Sequence, residues 1–189
     1  GRMVWHLDGR DEKSPLAVRG VSAIISPRTQ AWYAHNAGDL SGEELLLCGL
    51  YGTPRIYRAV SEPDRDLARG LAAAFNLSPL LEISLEAMSQ GQLRRMLIAS
   101  ACLAGPRILA LDEAADGLDA AGREALFALL GKLAAGGFAV KGALAASKGS
   151  AQPGGPITML MAAHREEDLP PFFSPALCLE AGRVGKQGA

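Results

Sequence analysis

Residues 87–119 of the chain read AMSQGQLRRMLIASACLAGPRILALDEAADGLD. Ser89 is a typical helix N-cap. The apolar residues after it recur at helical spacing, at Leu93, Met96, Leu97 and Ala101. Gly105-Pro106 ends this helix. Arg107–Leu111, which is apolar from Ile108 onward, is then a run of strand length and predicts a parallel strand buried on both faces.

The predicted strand ends in two acids, Asp112 and Glu113. In a parallel sheet, the last residues of a strand reach the carboxyl edge, where ligands bind. The first carboxylate can hold Mg²⁺, usually through water, and the second can orient or deprotonate an attacking water. A strand that merely ends in solvated acids has the same pattern, so the pair alone leaves both interpretations open.

One helix earlier, Ser89-Gln90-Gly91-Gln92 has the composition of an anion site. A serine N-cap and a glycine that allows close backbone approach bring free N–H groups to the positive end of the helix dipole. A capped helix without a ligand is the alternative, and the segment alone favours that alternative.

Upstream of this region the pattern begins with strands. Met3–Leu7 predicts a short strand, and a polar turn follows over Asp8–Ser14. Val21–Ser26 predicts a second strand, which Pro27 stops. The next segment, Asp39–Ala87, is mostly helical in period. Its predicted breaks are at Gly49, at Gly52-Thr53-Pro54 and at Ser78-Pro79.

Downstream, helix and strand patterns continue to alternate. Ala120–Ala135 predicts a helix closed by Gly136-Gly137, and residues 141–156 are small, polar and rich in Gly and Pro, as in a surface loop. Ile157–Ala163 predicts another buried strand and Ala176–Glu180 a last one. This alternation predicts an α/β fold with a mainly parallel sheet.

Composition narrows the class of protein. The 189 residues suffice for one domain with a core, and 49% of them are hydrophobic and 21% charged, as in globular proteins. A net charge of −1 gives no indication of the basic face that nucleic-acid binding requires, so no nucleic-acid partner is expected. The scattered Cys48, Cys102 and Cys178 favour free thiols over a disulfide framework or a zinc site. With no leader pattern and no apolar run of roughly 20 residues, a soluble protein is expected.

Taken together, the motifs resemble those of the ABC-type ATPase family. MSQGQ at 88–92 is similar to the family's signature motif, although Gln90 stands where the family usually has glycine. ILALDE at 108–113 is similar to its Walker B strand with the catalytic glutamate, and GLD at 117–119 to its D-loop. Gln30 follows a predicted strand as the Q-loop glutamine does, and His164 follows another as the switch histidine does.

The resemblance covers nearly the whole chain. It implies a P-loop NTPase-like (RecA-like) core with a mainly parallel sheet and a helical signature subdomain over 36–104. Two further segments, GLYGTPRIYRAVSEPD at 49–64 and HREEDLPPFFSPALCLEAGRV at 164–184, are similar to ATPases of the molybdate-transport and photorepair type.

The phosphate loop of this family, G-x-x-x-x-G-K-[ST], has no counterpart in the 189 residues. Gly131-Lys132 is followed by Leu133, and Gly185-Lys186 fails in the same way. The family carries this loop before the Q-loop. We therefore expect that 1–189 is a single ABC ATPase domain that lacks its N-terminal part, including the phosphate-binding lysine, and that this chain alone is inactive.

The family's chemistry implies ATP and Mg²⁺ as cofactors and a role for each matching residue. Glu113 would position the attacking water, Asp112 and Gln30 would hold Mg²⁺, and His164 would contact the γ-phosphate. The nucleotide-binding residues of the signature motif and D-loop would be Ser89, Gln90, Gly91, Gln92 and Asp119.

The implied partners are a second ABC ATPase domain, in a head-to-tail dimer, and a membrane permease that converts ATP hydrolysis into transport. Docking on the permease would place a cytoplasmic protein at the inner face of the cell membrane. Two alternatives remain open. One is a non-catalytic module that completes a partner's nucleotide site in trans, and the other is a DNA-repair-type ABC ATPase, against which the lack of a basic stripe counts.

Overall fold

The computed structural model describes residues 4–7, 9–14, 16, 18, 20–136, 157–174, 179–180 and 183–184. Near the start, β1 (Trp5–Leu7) and β2 (Arg10–Glu12) pair in an antiparallel hairpin. Gly9, with a φ of 75°, lies between them. The polar turn predicted over Asp8–Ser14 is therefore wrong in extent, because residues in its middle form a strand.

A three-stranded parallel sheet positions Asp112, Glu113 and His164, which lie at or just after the ends of its strands. Its strands are β3 (Ser22–Ile25), β4 (Ile108–Asp112) and β5 (Thr158–Ala162), with β4 in the middle. A second short hairpin joins β6 (Leu179–Glu180) to β7 (Arg183–Val184). The mainly parallel sheet that the sequence predicts is confirmed.

Only one face of this sheet is covered by the described part of the chain. On the inner face, Leu109 and Leu111 are buried in the core. On the outer face, Ile24, Ala110 and Leu160 lie side by side in register, and Ile24 and Leu160 are 62% and 58% exposed. Both predicted strands exist. Within the described residues, the prediction of burial is wrong for the outer face of β5, whereas Ile108 and Ala110 on the outer face of β4 are half-buried.

The first helix, α1 (Pro27–Asn36), follows β3 at once. The Ser26 hydroxyl caps it by accepting a hydrogen bond from the Thr29 N–H at 3.2 Å. Pro27 both ends the strand, as predicted, and occupies the first turn of the helix, where its fixed φ is favourable.

Three further helices, α2 (Gly42–Tyr51), α3 (Glu62–Ala74) and α4 (Gln90–Leu103), pack together, and we call them the helical unit. Short 3₁₀ turns at Ser78–Leu80 and Leu85–Ala87 connect α3 to α4. The fully buried side chains of the unit include Leu45, Leu46, Leu47, Leu71, Met96 and Ile98. The unit falls within the segment 36–104 that the sequence assigns to a helical subdomain.

The predicted break at Gly49 is wrong, because α2 runs through this residue to Tyr51. A Cβ atom at Gly49 would lie 2.0 Å from the backbone oxygen of Ser100 in α4. The Ser100 hydroxyl, in turn, donates a hydrogen bond to the Leu45 carbonyl at 2.7 Å. Gly49 therefore permits a close contact between helices, and the predicted break at Gly52, in a left-handed conformation, is the one that ends α2.

After β4, α5 (Ala120–Ala134) begins at the N-cap Asp119 and ends within one residue of its predicted end. The loop predicted over 141–156 and the third cysteine, Cys178, lie outside the described residues. Among those described, no helix is long and apolar enough to cross a membrane.

Two cysteines are free and buried in the core. Burial raises the pKa of Cys48 to about 11 and that of Cys102 to about 12. Both thiols are therefore protonated at neutral pH and unreactive as nucleophiles. The prediction of free thiols is confirmed for these two residues.

Candidate functional site

The carboxyl ends of β4 and β5 bring Glu113 and His164 into direct contact. The Nε2 atom of His164 lies 2.6 Å from Oε1 of Glu113. The Glu113 N–H also donates to the Ala162 carbonyl at 3.0 Å, which continues the pairing of the two strands by one residue. Parallel strands deliver their ends to one edge, so residues 51 positions apart form a single pair.

Glu113 itself has an unusual backbone. Its φ is 51°, in the left-handed region that non-glycine residues rarely adopt. Such conformations persist only where the surrounding structure holds them, and they concentrate at functional sites. Here the turn directs the carboxylate, whose side chain is 33% exposed, toward the more open His164 ring. The pair offers a hydrogen-bond acceptor and an imidazole to a ligand at this edge.

Asp112, the last residue of β4, is exposed. Mg²⁺ is commonly held by one or two carboxylates together with phosphate oxygens and water. Asp112 fits that pattern as a single carboxylate ligand. Among the described residues, no group of three or more His, Cys, Asp or Glu side chains could hold a metal ion by itself.

Gln30, the predicted Q-loop residue, is buried on α1, and the rest of the protein engages both ends of its amide. Its Nε2 donates to the Gln90 carbonyl at 3.0 Å, and its Oε1 accepts from Nε of Arg94 at 2.9 Å. In this structure Gln30 is therefore directed to α4. Its assignment as a Mg²⁺ ligand stays a prediction. To bind Mg²⁺, Oε1 would have to use its second lone pair, or the side chain would have to rotate away from Arg94.

Arg94 is the partner of Gln30 that the sequence reasoning missed. It is only 6% exposed, and its Nη1 donates to the carbonyls of Ala114 and Asp116, each at 2.8 Å. Burial lowers the pKa of Arg94, against the opposing effect of nearby Asp116 and Glu113, but a guanidinium stays charged. The signal in the sequence was an arginine one turn before Leu97 and Ile98, on the apolar face of the helix.

The N-terminus of α4 has the capped geometry predicted for Ser89. The Ser89 hydroxyl accepts from the Gln92 N–H at 3.2 Å, while the Ser89 N–H donates to Oε1 of Gln92 at 2.8 Å. This capping box leaves the hydroxyl proton of Ser89 and the N–H groups of Gln90 and Gly91 without an acceptor within the helix. These are the donors that an anion requires.

The start of α4 lies against the loop that precedes α5. A Cβ atom at Gly91 would be 3.2 Å from Cδ2 of Leu118, so glycine here allows close packing of the two segments. Asp119 caps α5, and its Oδ1 accepts from the Gly122 N–H at 2.7 Å. Its role in contacting a second domain stays a prediction.

A groove of about 390 Å³ lies between α1, the start of α4 and the loop after β4. Its lining includes the predicted residues Gln30, Gln90 and Glu113, together with Arg94 and Asp116. Residues from three separate motifs thus meet in one concave site with both apolar and charged walls. The volume lies in the range of small-molecule sites.

A second charged cluster supports the loop that carries His164. Arg165 lies 3.7 Å from Asp116 and 3.4 Å from Asp168, and Arg123 of α5 lies 3.3 Å from Asp168. Asp168 is 2% exposed, so its charge depends on these two arginines. Sequence patterns did not predict this cluster, because Asp116 and Arg123 lie far along the chain from Arg165 and Asp168.

Comparison with known proteins finds sequence relatives among ABC transporter ATP-binding proteins. An uncharacterized ABC transporter ATP-binding protein of Bacillus subtilis, YlmA, is 28% identical over 187 residues, covering 99% of this chain and 63% of that protein. Another, YmeB of Lactococcus lactis, is 24% identical over 181 residues, covering 96% of this chain and 61% of that protein. The chain is related to the ABC-type ATPases. No protein-family model matches it.

The fold of this chain also has solved counterparts. An ATP-binding cassette of an ABC transporter, solved in its ADP conformation, matches with a TM-score of 0.58 at 18% identity, covering 86% of this chain and 59% of that one. This confirms the P-loop NTPase-like fold. The chain spans about three-fifths of the length of the two curated relatives above, and its likeness to the molybdate-transport and photorepair subgroup stays a prediction.

Proposed function

We propose that the chain forms part of an ATP-binding and ATP-hydrolysing subunit of an ABC transporter. The observation that carries this proposal is the 2.6 Å contact between Glu113 and His164 at the carboxyl edge of the parallel sheet. A carboxylate and an imidazole at that edge suit the activation of a water and the recognition of a terminal phosphate. The relatives, which are ABC transporter ATP-binding proteins, support the same assignment.

Each residue of the edge then has a distinct task. Glu113 orients or deprotonates the attacking water, and its contact with Nε2 of His164 leaves Nδ1 as the ring nitrogen that donates to the γ-phosphate. Asp112 contributes one carboxylate to Mg²⁺, which when bound neutralises phosphate charge. Gln30 joins this set if ligand binding draws its amide away from Arg94.

The start of α4 serves a different nucleotide. In a head-to-tail pair with a second ABC ATPase domain, the hydroxyl of Ser89 and the N–H groups of Gln90 and Gly91 face the γ-phosphate held by that partner. Gln92 keeps these donors in place through the capping box, and Asp119 contributes to the contact between domains. A membrane permease, to which the pair docks at the cytoplasmic face, converts the closure into transport.

The 189-residue chain assayed alone is expected to release phosphate from ATP at no more than background. It contains no G-x-x-x-x-G-K-[ST] segment to surround the phosphates with N–H groups and a lysine, and electrostatic stabilisation dominates phosphoryl transfer. A steady-state phosphate-release assay measures this. ATP turnover by the wild-type chain that disappears in Glu113→Gln would show instead that the 189 residues form a complete hydrolytic site.

The signature end of α4 is tested by association with a complete ABC ATPase domain in the presence of ATP and Mg²⁺. Ser89→Arg places bulk where close approach is required and should abolish ATP-dependent association, measured by sedimentation. Glu113→Gln acts at the other site and should change this association little.

Ser61→Arg is the matched control for Ser89→Arg. Ser61 caps α3 by accepting from the Asp64 N–H, without a reciprocal capping box. Its replacement therefore removes a cap worth about 1 kcal/mol at a helix that the proposed interface does not use. Association by Ser89→Arg equal to that of Ser61→Arg and wild type would mean that Ser89 only caps a helix.

A further inference from the structure

Arg94 belongs to α4, yet the hydrogen bonds of its guanidinium lead to other segments. Its Nε bonds to Oε1 of Gln30 on α1 at 2.9 Å. Its Nη1 bonds to the carbonyls of Ala114 and Asp116 at 2.8 Å, with that of Glu113 at 3.5 Å. One side chain thus connects three parts of the chain that meet at the groove.

Gln30 closes this network on the helix that supplies Arg94. Its Nε2 donates to the Gln90 carbonyl in the first turn of α4. The amide of Gln30 is therefore held by the start of α4 at one end and by Arg94, one turn later, at the other. Any movement of α1 relative to α4 has to break at least one of these bonds.

The loop after β4 is held in the same way. Hydrogen bonds from a charged donor are stronger than neutral ones, and a buried guanidinium without acceptors is costly. The loop cannot leave α4 without exposing Arg94 to that cost. Glu113, whose backbone is in the left-handed region, directly precedes the anchored carbonyl of Ala114, so its direction depends on the anchor.

We propose that Arg94 is a positioning residue that holds Gln30 and the Glu113–Asp116 loop in fixed register with α4, so that a nucleotide engaged at the start of α4 constrains the direction of Glu113. The constraint on the loop stands on the geometry of this chain alone. Its use by a nucleotide rests on the proposed function. Arg94 itself bonds to Gln30 and to the loop carbonyls and has no chemical step of its own.

The first test is hydrogen exchange of the 189-residue chain without any nucleotide. The reporters are the N–H groups of Asp116 and Leu118, which bond to the carbonyls of Glu113 and Ala115. Arg94→Met should speed their exchange about tenfold or more relative to amides in α2. Arg94→Lys, whose ammonium can still reach the loop carbonyls but not Gln30 as well, should restore most of the protection.

Arg95→Met is the matched control. Arg95 is the next residue, is half-buried on the same helix, and makes one long bond of 3.4 Å to the Gly91 carbonyl. Equal acceleration in α2 and in the loop would mean that Arg94 only stabilises the whole fold, and this would overturn the proposal. The same loop effect in Arg95→Met, or no effect in Arg94→Met, would overturn it too.

The second test separates this proposal from the proposed function. If the wild-type chain shows ATP-dependent association with a complete ABC ATPase domain, ATP and that partner should slow exchange at Asp116 in wild type but not in Arg94→Met. Slowing of equal size in both would overturn the coupling. Failure of wild type to associate would refute the proposed function, while the exchange pattern without nucleotide would still decide the role of Arg94.

Discussion

The helical unit and the parallel sheet bury their apolar residues to different extents. In the unit, the consecutive residues Leu45, Leu46 and Leu47 of α2 are fully buried, because neighbouring helices and turns surround the helix. In the sheet, Leu109 and Leu111 are buried, whereas Ile24 and Leu160 on the other face are exposed. The unit thus has a closed core, and the sheet has an open apolar face within the described residues.

This difference separates residues that stabilise the fold from residues that offer a contact surface. Ile24, Ala110 and Leu160 form what we call the outer face of the sheet. Apolar patches of this kind promote association. The contrast predicts that substitutions in the unit change the free energy of unfolding, and that substitutions on the outer face mainly change self-association.

The largest effect is expected for Leu46→Ala. Leu46 is fully buried, and removal of such a side chain costs about 2–5 kcal/mol because a cavity remains. Leu160→Ala is the matched control, since Leu160 is 58% exposed, and it should cost less than about 1 kcal/mol. Urea unfolding measures both. Equal losses would remove the distinction between the two regions.

A somewhat smaller loss is expected for Gly49→Ala. The added Cβ would meet the Ser100 carbonyl at 2.0 Å, and forcing extra atoms into a packed contact costs about 1–3 kcal/mol. Gly70→Ala in α3 is the control, because nothing lies within 4 Å of its Cβ position, and alanine there should stabilise the helix by up to about 1 kcal/mol. A Gly49→Ala chain as stable as wild type would contradict the close contact of α2 with α4.

For the outer face, the paired change Ile24→Gln and Leu160→Lys should reduce self-association and leave the free energy of unfolding nearly unchanged. Light scattering across a concentration series measures the first quantity. Tyr57→Gln is the control, because Tyr57 is 76% exposed and belongs to the segment between α2 and α3, not to a strand of the sheet. A decrease in scattering as large in the control would mean that general surface hydrophobicity drives association.

The smallest effect concerns pH and the start of α3. Hydrogen bonds from Ser61, and to a lesser degree from Tyr51, hold the pKa of Asp64 below its usual 3.8 despite partial burial. A lowered folded-state pKa stabilises the protein above pH 3.8, and this contribution disappears as the pH falls through the folded-state value. For a largely exposed group the gain is a few tenths of a kcal/mol.

The measurement is urea unfolding of wild type and Asp64→Asn across pH 2–7. The stability difference between them should be present at neutral pH and vanish at the acid end. Asp66→Asn, at an exposed position of the same helix, is the control. A difference that grows as the pH falls would have the wrong sign for this arrangement.

Local patterns in the sequence determined most of the elements and the order of the site residues. The Ser89 cap, the apolar spacing of α4 and the acid pair at the end of β4 depend on residues within a few positions of each other. Each could therefore be predicted from the sequence. The position of His164 after a strand also followed, because parallel strands end at one edge. The resemblance to ABC-type ATPases rests on these same residues.

The tertiary structure alone decided which residues act together. The burial of Arg94, its bonds to Gln30 and the loop carbonyls, and the Asp168 cluster join positions far apart in the chain. The close contact between α2 and α4 at Gly49 could not be predicted from the sequence for the same reason. Periodicity shows which side of an element is apolar, but only the neighbouring elements determine whether that side is covered. The outer face of the sheet, which is open within the described residues, is an example.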